Sequence, residues 1–278
     1  MQNFSPKKLI LSALKEDAAF NDITSKTFIP KNSKSKAYLI NKEPCVLCGI
    51  NIFRQTFQML DKNIKFTSKY KDGAILSNNT KVAFISGNTQ KILSAERVAL
   101  NFLTHLSGVA TLTKKFVDAI KPYKTKIMDT RKTLPGLRTL EKYAVRCGGG
   151  FNHRISLKDQ MLIKDNHLAA INKDWPTIHK VIKKARSKNI ITELEVTNLN
   201  DFKKALEIKP DIIMLDNMNL KDIKTAVKLR NLNNVELEVS GNINLKNIRE
   251  VAKTGVDRIS IGALTHSAQA PDFSLEVN

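Results

Sequence analysis

The chain has only three cysteines, Cys45, Cys48 and Cys147, an odd number in 278 residues. A disulfide framework is thereby excluded, and a reducing compartment would keep all three as thiols. Long apolar stretches are also missing: runs such as Ile212 to Leu215 fall far short of the roughly 20 residues that span a bilayer. The N-terminus lacks a continuous signal-type apolar segment, so a cytoplasmic chain with no membrane partner is expected. Aromatic residues make up 6 % of the chain and do not interleave with basic ones, as a stacking platform for single-stranded nucleic acid requires. Acidic residues are few, 26 against 46 lysines and arginines, leaving a formal net charge of +20.

Hydrophobic residues at 42 % and charged residues at 26 % are ordinary globular values. They provide a substantial core and exclude disorder for the bulk of the chain. The charge surplus suggests a polyanionic partner: nucleic acid, an anionic membrane surface, or a small substrate dense in phosphate and carboxylate. The 36 lysines are scattered and read as solvated surface, but five of the ten arginines (Arg97, Arg131, Arg138, Arg146 and Arg154) fall within 58 residues. Planar bidentate groups so clustered favour an anion site over a cationic coat.

Two bodies are expected. Ser5-Pro6 caps a first helix in which Leu9, Ile10, Ala13 and Leu14 recur at helical spacing. Short apolar runs follow (Ala37–Ile40, Val46–Leu47, Ile64–Thr67, Lys81–Ile85), interrupted by a helix from about Ile50 to Leu60 and punctuated by glycines. This block, residues 1–106, reads as an α/β open-sandwich domain. From Ser94 a helix carries Arg97, Asn101 and His105 on one face, either a solvated stripe or part of a site. Residues 107–266 then repeat a short strand, a loop and a helix, with strand ends at Met128-Asp129, Ile163-Lys164, Leu194-Glu195, Leu215-Asp216, Val239-Ser240 and Ile261-Gly262. Six such units predict parallel strands with right-handed crossovers, a shortened α/β barrel. The segment 267–278 is expected to pack back on the first domain.

In a parallel barrel the side chains at the carboxyl ends of the strands converge on one mouth. Asp129, Arg131, Lys132, Lys164, Glu195 and Asp216 would ring it. Ser240-Gly241-Asn242 and Gly262-Ala263 put glycines before predicted helices, where free N–H groups cradle phosphate; simple turn chemistry is the alternative. Glu195 and Asp216, hard carboxylate donors among cations, suit Mg²⁺ bridging a pyrophosphate, or else neutralise nearby lysine and arginine. Between Asp129 and Arg154 the chain reads as a dense cationic loop, with Pro135-Gly136 and Gly148-Gly149-Gly150 allowing close approach to a ligand. Cys45-Val-Leu-Cys48 has no second pair and reads as structural.

The strings Glu96-Arg97, Asp129-Thr-Arg-Lys-Thr-Leu-Pro-Gly-Leu-Arg138, Glu141-Lys-Tyr-Ala-Val-Arg146, Gly148-Gly-Gly-Phe-Asn-His-Arg154, Leu162-Ile-Lys-Asp-Asn-His167, Met214-Leu-Asp-Asn217 and Gly262-Ala-Leu-Thr-His-Ser267 closely resemble the quinolinate phosphoribosyltransferases of NAD biosynthesis. The resemblance covers nearly the whole chain. It implies a Mg²⁺-dependent reaction of quinolinate with phosphoribosyl pyrophosphate, giving nicotinate mononucleotide, pyrophosphate and CO2 in a cytoplasmic homodimer, higher assembly remaining open. It implies that Arg131, His153, Arg154 and Lys164 contact quinolinate, with Arg97 reaching in from the neighbouring subunit. Lys132, Lys164, Glu195 and Asp216 would bind phosphoribosyl pyrophosphate and its metal, and Ser240, Gly241, Gly262 and His266 its 5′-phosphate, with Thr130, Asn242, Ile261 and Ala263 as further substrate-binding residues. Lys132, Lys164, Glu195 and Asp216 would carry the catalysis. One departure is visible: Asn242 stands where the family usually has a second glycine, which bears on phosphate affinity. The rivals are a paralogous phosphoribosyltransferase-like protein with another acceptor, against which the full carboxylate-binding set argues, and a basic nucleic-acid-binding protein suggested by the +20 charge, which enzyme activity without steep salt-dependent nucleic-acid binding would remove.

Overall fold

The structure, a computed structural model, describes residues 6–230 and 234–278. Ser5 lies outside them. In chain order the elements are α1 (Lys7–Glu16), α2 (Ile23–Phe28), β1 (Lys34–Asn41), β2 (Cys45–Val46), α3 (Ile50–Leu60), β3 (Lys65–Ser68), β4 (Ile75–Leu76), β5 (Lys81–Asn88) and α4 (Thr89–Ala119). The chain continues with β6 (Lys126–Met128), α5 (Arg138–Cys147), β7 (Met161–Ile163), α6 (Asp165–Ala170), α7 (Trp175–Arg186), β8 (Thr192–Val196) and α8 (Leu199–Ile208). It closes with β9 (Ile212–Asp216), α9 (Leu220–Arg230), β10 (Glu236–Ser240), α10 (Ile248–Ala252), β11 (Arg258–Ser260), α11 (Ala263–His266) and β12 (Phe273–Val277).

Two compact units result. The first comprises residues up to Lys114 with Leu134–Gly149 and Leu264–Asn278; the second comprises Lys115–Thr133 with Gly150–Ala263. Helix α4, 31 residues long, runs through the position 106/107 where the sequence reading divides the chain, and the compact units part within it, after Lys114. Its apolar positions continue without a break through Leu103, Leu106, Val109, Ala110 and Phe116, all buried. A correction concerns 138–147, read as part of a cationic loop. Leu140, Ala144 and Val145 are buried along one face of α5, and helical periodicity wins over the surrounding charge.

In the first unit a four-stranded antiparallel sheet has the order β12-β1-β5-β3, beside a two-stranded ribbon of β2 and β4. Strand alternation buries Ala37 and Leu39 on one face, and Leu39 pairs with Leu275 of β12 and Ala83 of β5. Phe53 and Phe57 of α3 join Leu39, Ile85, Leu103 and Leu275 in this core, each contributing on the order of 1.5–3 kcal/mol by leaving water.

The second unit holds six parallel strands in the order β6-β11-β10-β9-β8-β7. All five residues of β8 and the first four of β9 are buried, as expected of strands covered on both faces. Helices α7 to α10 turn Ile178 and Ile182, Phe202 and Ala205, Ile223 and Ala226, Ile248 and Val251 inward. The ladder ends at β6 and β7, and Phe151 forms a single parallel bridge to Met128 beside β6. Among the described residues no helix is long and apolar enough to cross a membrane.

Candidate active site

The carboxyl end of β6 leads into Asp129, which is fully buried. Its Oδ1 accepts the His153 N–H at 2.9 Å and its Oδ2 the Asn152 Nδ2–H at 2.6 Å. Asp129 therefore buckles the 151–154 segment onto β6 rather than lining the mouth as the strand-end pattern suggested. Beyond it the Thr130 hydroxyl accepts the Lys132 N–H at 3.0 Å, and the Thr133 N–H donates to the Arg131 carbonyl at 3.0 Å. This tight turn leaves Arg131 half-buried and Lys132 exposed.

On β8, Glu195 is buried, and the exposed Lys164, just ahead of α6, brings its Nζ to 3.9 Å from Glu195 Oε2. Asp216 ends the neighbouring strand β9 and is paired in register with Ser240 of β10. Burial pushes the Glu195 carboxyl above the usual carboxylate range, Lys164 opposes the shift, and the Asp216 charge adds to it. Two hard oxygen donors that repel each other fit Mg²⁺, since a cation would replace the repulsion with attraction.

After β10 the chain passes through Gly241 at φ +90° and Asn242 at φ 52°, with Asn217 at φ 53° facing them. A Cβ on Gly241 would stand 2.2 Å from Asn217 Oδ1, and the Asn242 Nδ2–H donates to that same oxygen at 3.0 Å. Asn242 thus occupies the left-handed region and anchors the turn through its side chain. A cavity of about 260 Å³ opens between Asn217, Gly241, Asn242 and Asn247. The helix expected directly after this turn begins only at Ile248 and lasts five residues, so backbone N–H groups of the turn, rather than a helix dipole, are what this end offers an anion. Ile261 lies just past β11, its N–H bonded to the Met128 carbonyl at 3.0 Å, and Gly262 and Ala263 follow.

His153 and Arg154 follow the Asp129 buckle. Arg154 is half-buried; burial pulls its affinity for a proton down, and the nearby Arg131 guanidinium pulls the same way. Two guanidiniums kept together suit a ligand with more than one negative charge. The His153 side chain is only 6 % exposed, its Nε2 3.1 Å from Glu193 Oε2 and 3.5 Å from Glu238 Oε1. One atom of each of these three groups lies within 4.8 Å of the others, a spacing compatible with a metal ion. The hydrogen bonds argue otherwise. His153 Nδ1 accepts the Arg154 N–H at 2.7 Å, so its lone pair faces that donor, which assigns a ring proton to Nε2, the nitrogen near the two carboxylates. Burial would push the imidazole down, but Glu193 and Glu238 outweigh it and carry the ring up to about 9. The charged ring would have to surrender the Arg154 bond, so that contact and the raised imidazole oppose each other, and in either form Nε2 carries a proton and offers a metal no lone pair. Glu238 is fully buried, and burial and the Glu193 charge push its carboxyl up; Arg258 Nη1 lies 3.8 Å away.

Glu193, Glu238 and Arg258 were not among the expected site residues. Their signal was present: β8 and β10 both carry Glu-Leu-Glu-Val, charges two apart in strands that should be apolar. The remaining expected residues belong to the first unit. Arg97 and Asn101 are exposed on α4, whereas His105 is no solvated stripe, its Nε2 lying 2.8 Å from Oε1 of the fully buried Glu141 on α5. Glu141 Oε2 also accepts the Leu134 N–H at 3.1 Å. Arg138 opens α5, and the exposed His266 closes α11 with its Nδ1 2.7 Å from Ser267 Oγ.

Comparison with known proteins shows the family. The family model for the quinolinate phosphoribosyl transferase N-terminal domain matches residues 22–107, and that for the C-terminal domain matches 109–276. A probable nicotinate-nucleotide pyrophosphorylase [carboxylating] of Methanocaldococcus jannaschii is 40 % identical, covering 97 % of this chain and 96 % of its own. The nicotinate-nucleotide pyrophosphorylase structure from Francisella tularensis is 45 % identical with a TM-score of 0.90, covering 98 % of this chain and 95 % of its own. That from Ehrlichia chaffeensis is 39 % identical with a TM-score of 0.93 over the whole of both chains. With both domain models matched in order and curated relatives aligned over nearly its full length, the chain belongs to the quinolinate phosphoribosyltransferase family.

Proposed function

We propose that the chain transfers the phosphoribosyl group of phosphoribosyl pyrophosphate to quinolinate with loss of CO2, as a cytoplasmic homodimer requiring Mg²⁺. The observation that carries this reading is Lys164 Nζ at 3.9 Å from the buried Glu195, with Asp216 on the next strand, in the same unit as the half-buried Arg131 and Arg154. Quinolinate is a dicarboxylate, and two guanidiniums kept half-buried hold such a ligand bidentately and in one orientation. Arg97, exposed on α4, would complete this seat from the partner subunit.

Glu195 and Asp216 would hold Mg²⁺, which when bound supplies positive charge against the departing pyrophosphate. Lys132, exposed beyond the Thr130 turn, and Lys164 add two further cations where negative charge accumulates. As the sugar loses its leaving group it gains oxocarbenium character, which the nearby carboxylates favour. The quinolinate ring nitrogen captures the sugar carbon and becomes a pyridinium. That cation is an electron sink next to the 2-carboxylate, so the C–C bond breaks, CO2 departs, and the ring carbon is reprotonated. The protein need only orient the ring and exclude water for this step.

The test is incubation of purified protein with Mg²⁺, phosphoribosyl pyrophosphate and carboxyl-labelled quinolinate, with nicotinic acid as control acceptor. Equal release of labelled CO2 and nicotinate mononucleotide, with nicotinic acid inert, is expected. A folded protein inert toward quinolinate would refute the assignment.

A further inference from the structure

Both ends of Arg154 lead back to one buried carboxylate. The Arg154 peptide N–H donates to His153 Nδ1 at 2.7 Å, and His153 Nε2 lies 3.1 Å from Glu193 Oε2. The Arg154 Nη1–H donates to the Gln160 carbonyl at 3.2 Å, and the Gln160 side-chain amide donates to the same Glu193 oxygen. Three hydrogen bonds and one 3.1 Å charge approach, that of His153 to Glu193, thus link Glu193, His153, Arg154 and Gln160 in a ring. Its anchor is rigid, since Glu193 sits in a strand with all five residues buried, and Glu238 of β10 backs the imidazole at 3.5 Å.

We propose that Gln160, Glu193 and Glu238 are positioning residues that hold Arg154 beside Arg131, preforming the seat for a carboxylate of the acceptor. Two like charges brought together in a half-buried place repel, and a long guanidinium stem left to itself would swing into solvent. Tying its backbone and its head group to one immobile carboxylate removes both freedoms before the ligand arrives. Glu193 and Glu238 do not touch the acceptor; they act through His153 and Gln160. The alternative use of the cluster, as a metal site, needs the His153 Nε2 lone pair, which the Arg154 N–H at Nδ1 denies it.

The inference rests on quinolinate as the acceptor, so wild-type turnover is measured first. In Gln160→Ala, at a half-buried surface position, the KM for quinolinate is expected to rise roughly tenfold, the cost of about one lost hydrogen bond to a charged group, while that for phosphoribosyl pyrophosphate stays within about twofold. Glu193→Gln, whose amide oxygen still accepts from His153 and Gln160, should be milder than Glu193→Leu. Equal change in both KM values, or in neither, would overturn the proposal. Hydrogen exchange of the Arg154 amide in ligand-free protein separates the two readings. It should be slow in wild type and at least about tenfold faster in Gln160→Ala, and unchanged exchange overturns the circuit even where turnover is normal. Absent turnover with the exchange difference intact would sink the quinolinate assignment alone.

Discussion

Asn217 Oδ1 occupies the space that a side chain on Gly241 would need, 2.2 Å from where its Cβ would stand. With Gly241 also at φ +90°, Gly241→Ala is expected to cost about 1–3 kcal/mol of backbone strain and steric relief, paid by displacing Asn217 and with it Asn242. The KM for phosphoribosyl pyrophosphate should rise more than that for quinolinate, which steady-state kinetics with each substrate varied in turn will check.

Glu195 offers a second test, with a definite sign. Its carboxyl is raised in the fold by burial, so it binds its proton more tightly folded than unfolded. The stability it contributes is full below the ordinary carboxylate range and is lost as pH rises through its folded value. Glu195→Gln should therefore raise Tm at pH 7 and give no gain near pH 3. Added Mg²⁺ should raise the wild-type Tm and leave Glu195→Gln unmoved. A variant that gains Tm equally at both pH values would contradict the assigned cause.

Asp216→Ala and Lys132→Ala should each lower kcat by about 10²-fold, the usual loss when one group facing developing charge is removed. Both positions are at the margin of the core, Asp216 half-buried and Lys132 exposed, so circular dichroism should report an intact fold. Near-normal rates in folded variants would remove these residues from the mechanism.

If Arg97 serves the partner subunit, Arg97→Ala and Lys132→Ala damage different halves of one site. Each variant alone should be nearly inactive, while subunits mixed and allowed to exchange should recover roughly a quarter of the wild-type sites, the statistical share for random two-fold assembly. No recovery after demonstrated exchange would return Arg97 to its own chain.

The thiols should differ in reactivity. A hydrogen bond with the Cys147 thiol and burial push Cys48 up, that same bond holds Cys147 down, and burial carries Cys45 up to about 11. Iodoacetamide followed by peptide mass spectrometry should find Cys147 modified at least about tenfold faster than the two buried cysteines. Preferential labelling of Cys45 would contradict this order.

What the sequence disclosed depended on whether a residue's partners were close along the chain. The strand ends at Lys164, Glu195 and Asp216 were legible because strand and helix periods alternate so regularly in the second unit. Helix α5 was hidden because Arg138, Lys142 and Arg146 dominate its composition, and only the burial of Leu140, Ala144 and Val145 decides its conformation. Asp129 looked like a mouth residue for the same reason: its partners, Asn152 and the His153 N–H, lie 23 and 24 residues ahead. The Glu-Leu-Glu-Val repeat was present in plain letters, but only the geometry shows that Glu193 and Glu238 converge on one histidine.

The antiparallel pairing of β12 with β1 has a consequence in time. Residues 34–41 leave the ribosome early, yet the strand that covers their edge is made only after the whole of 150–263. During synthesis, β1 can be sealed on one side by β5 while its other edge stays open, available to any extended neighbour. Completion of the first unit is thus gated by translation of the second.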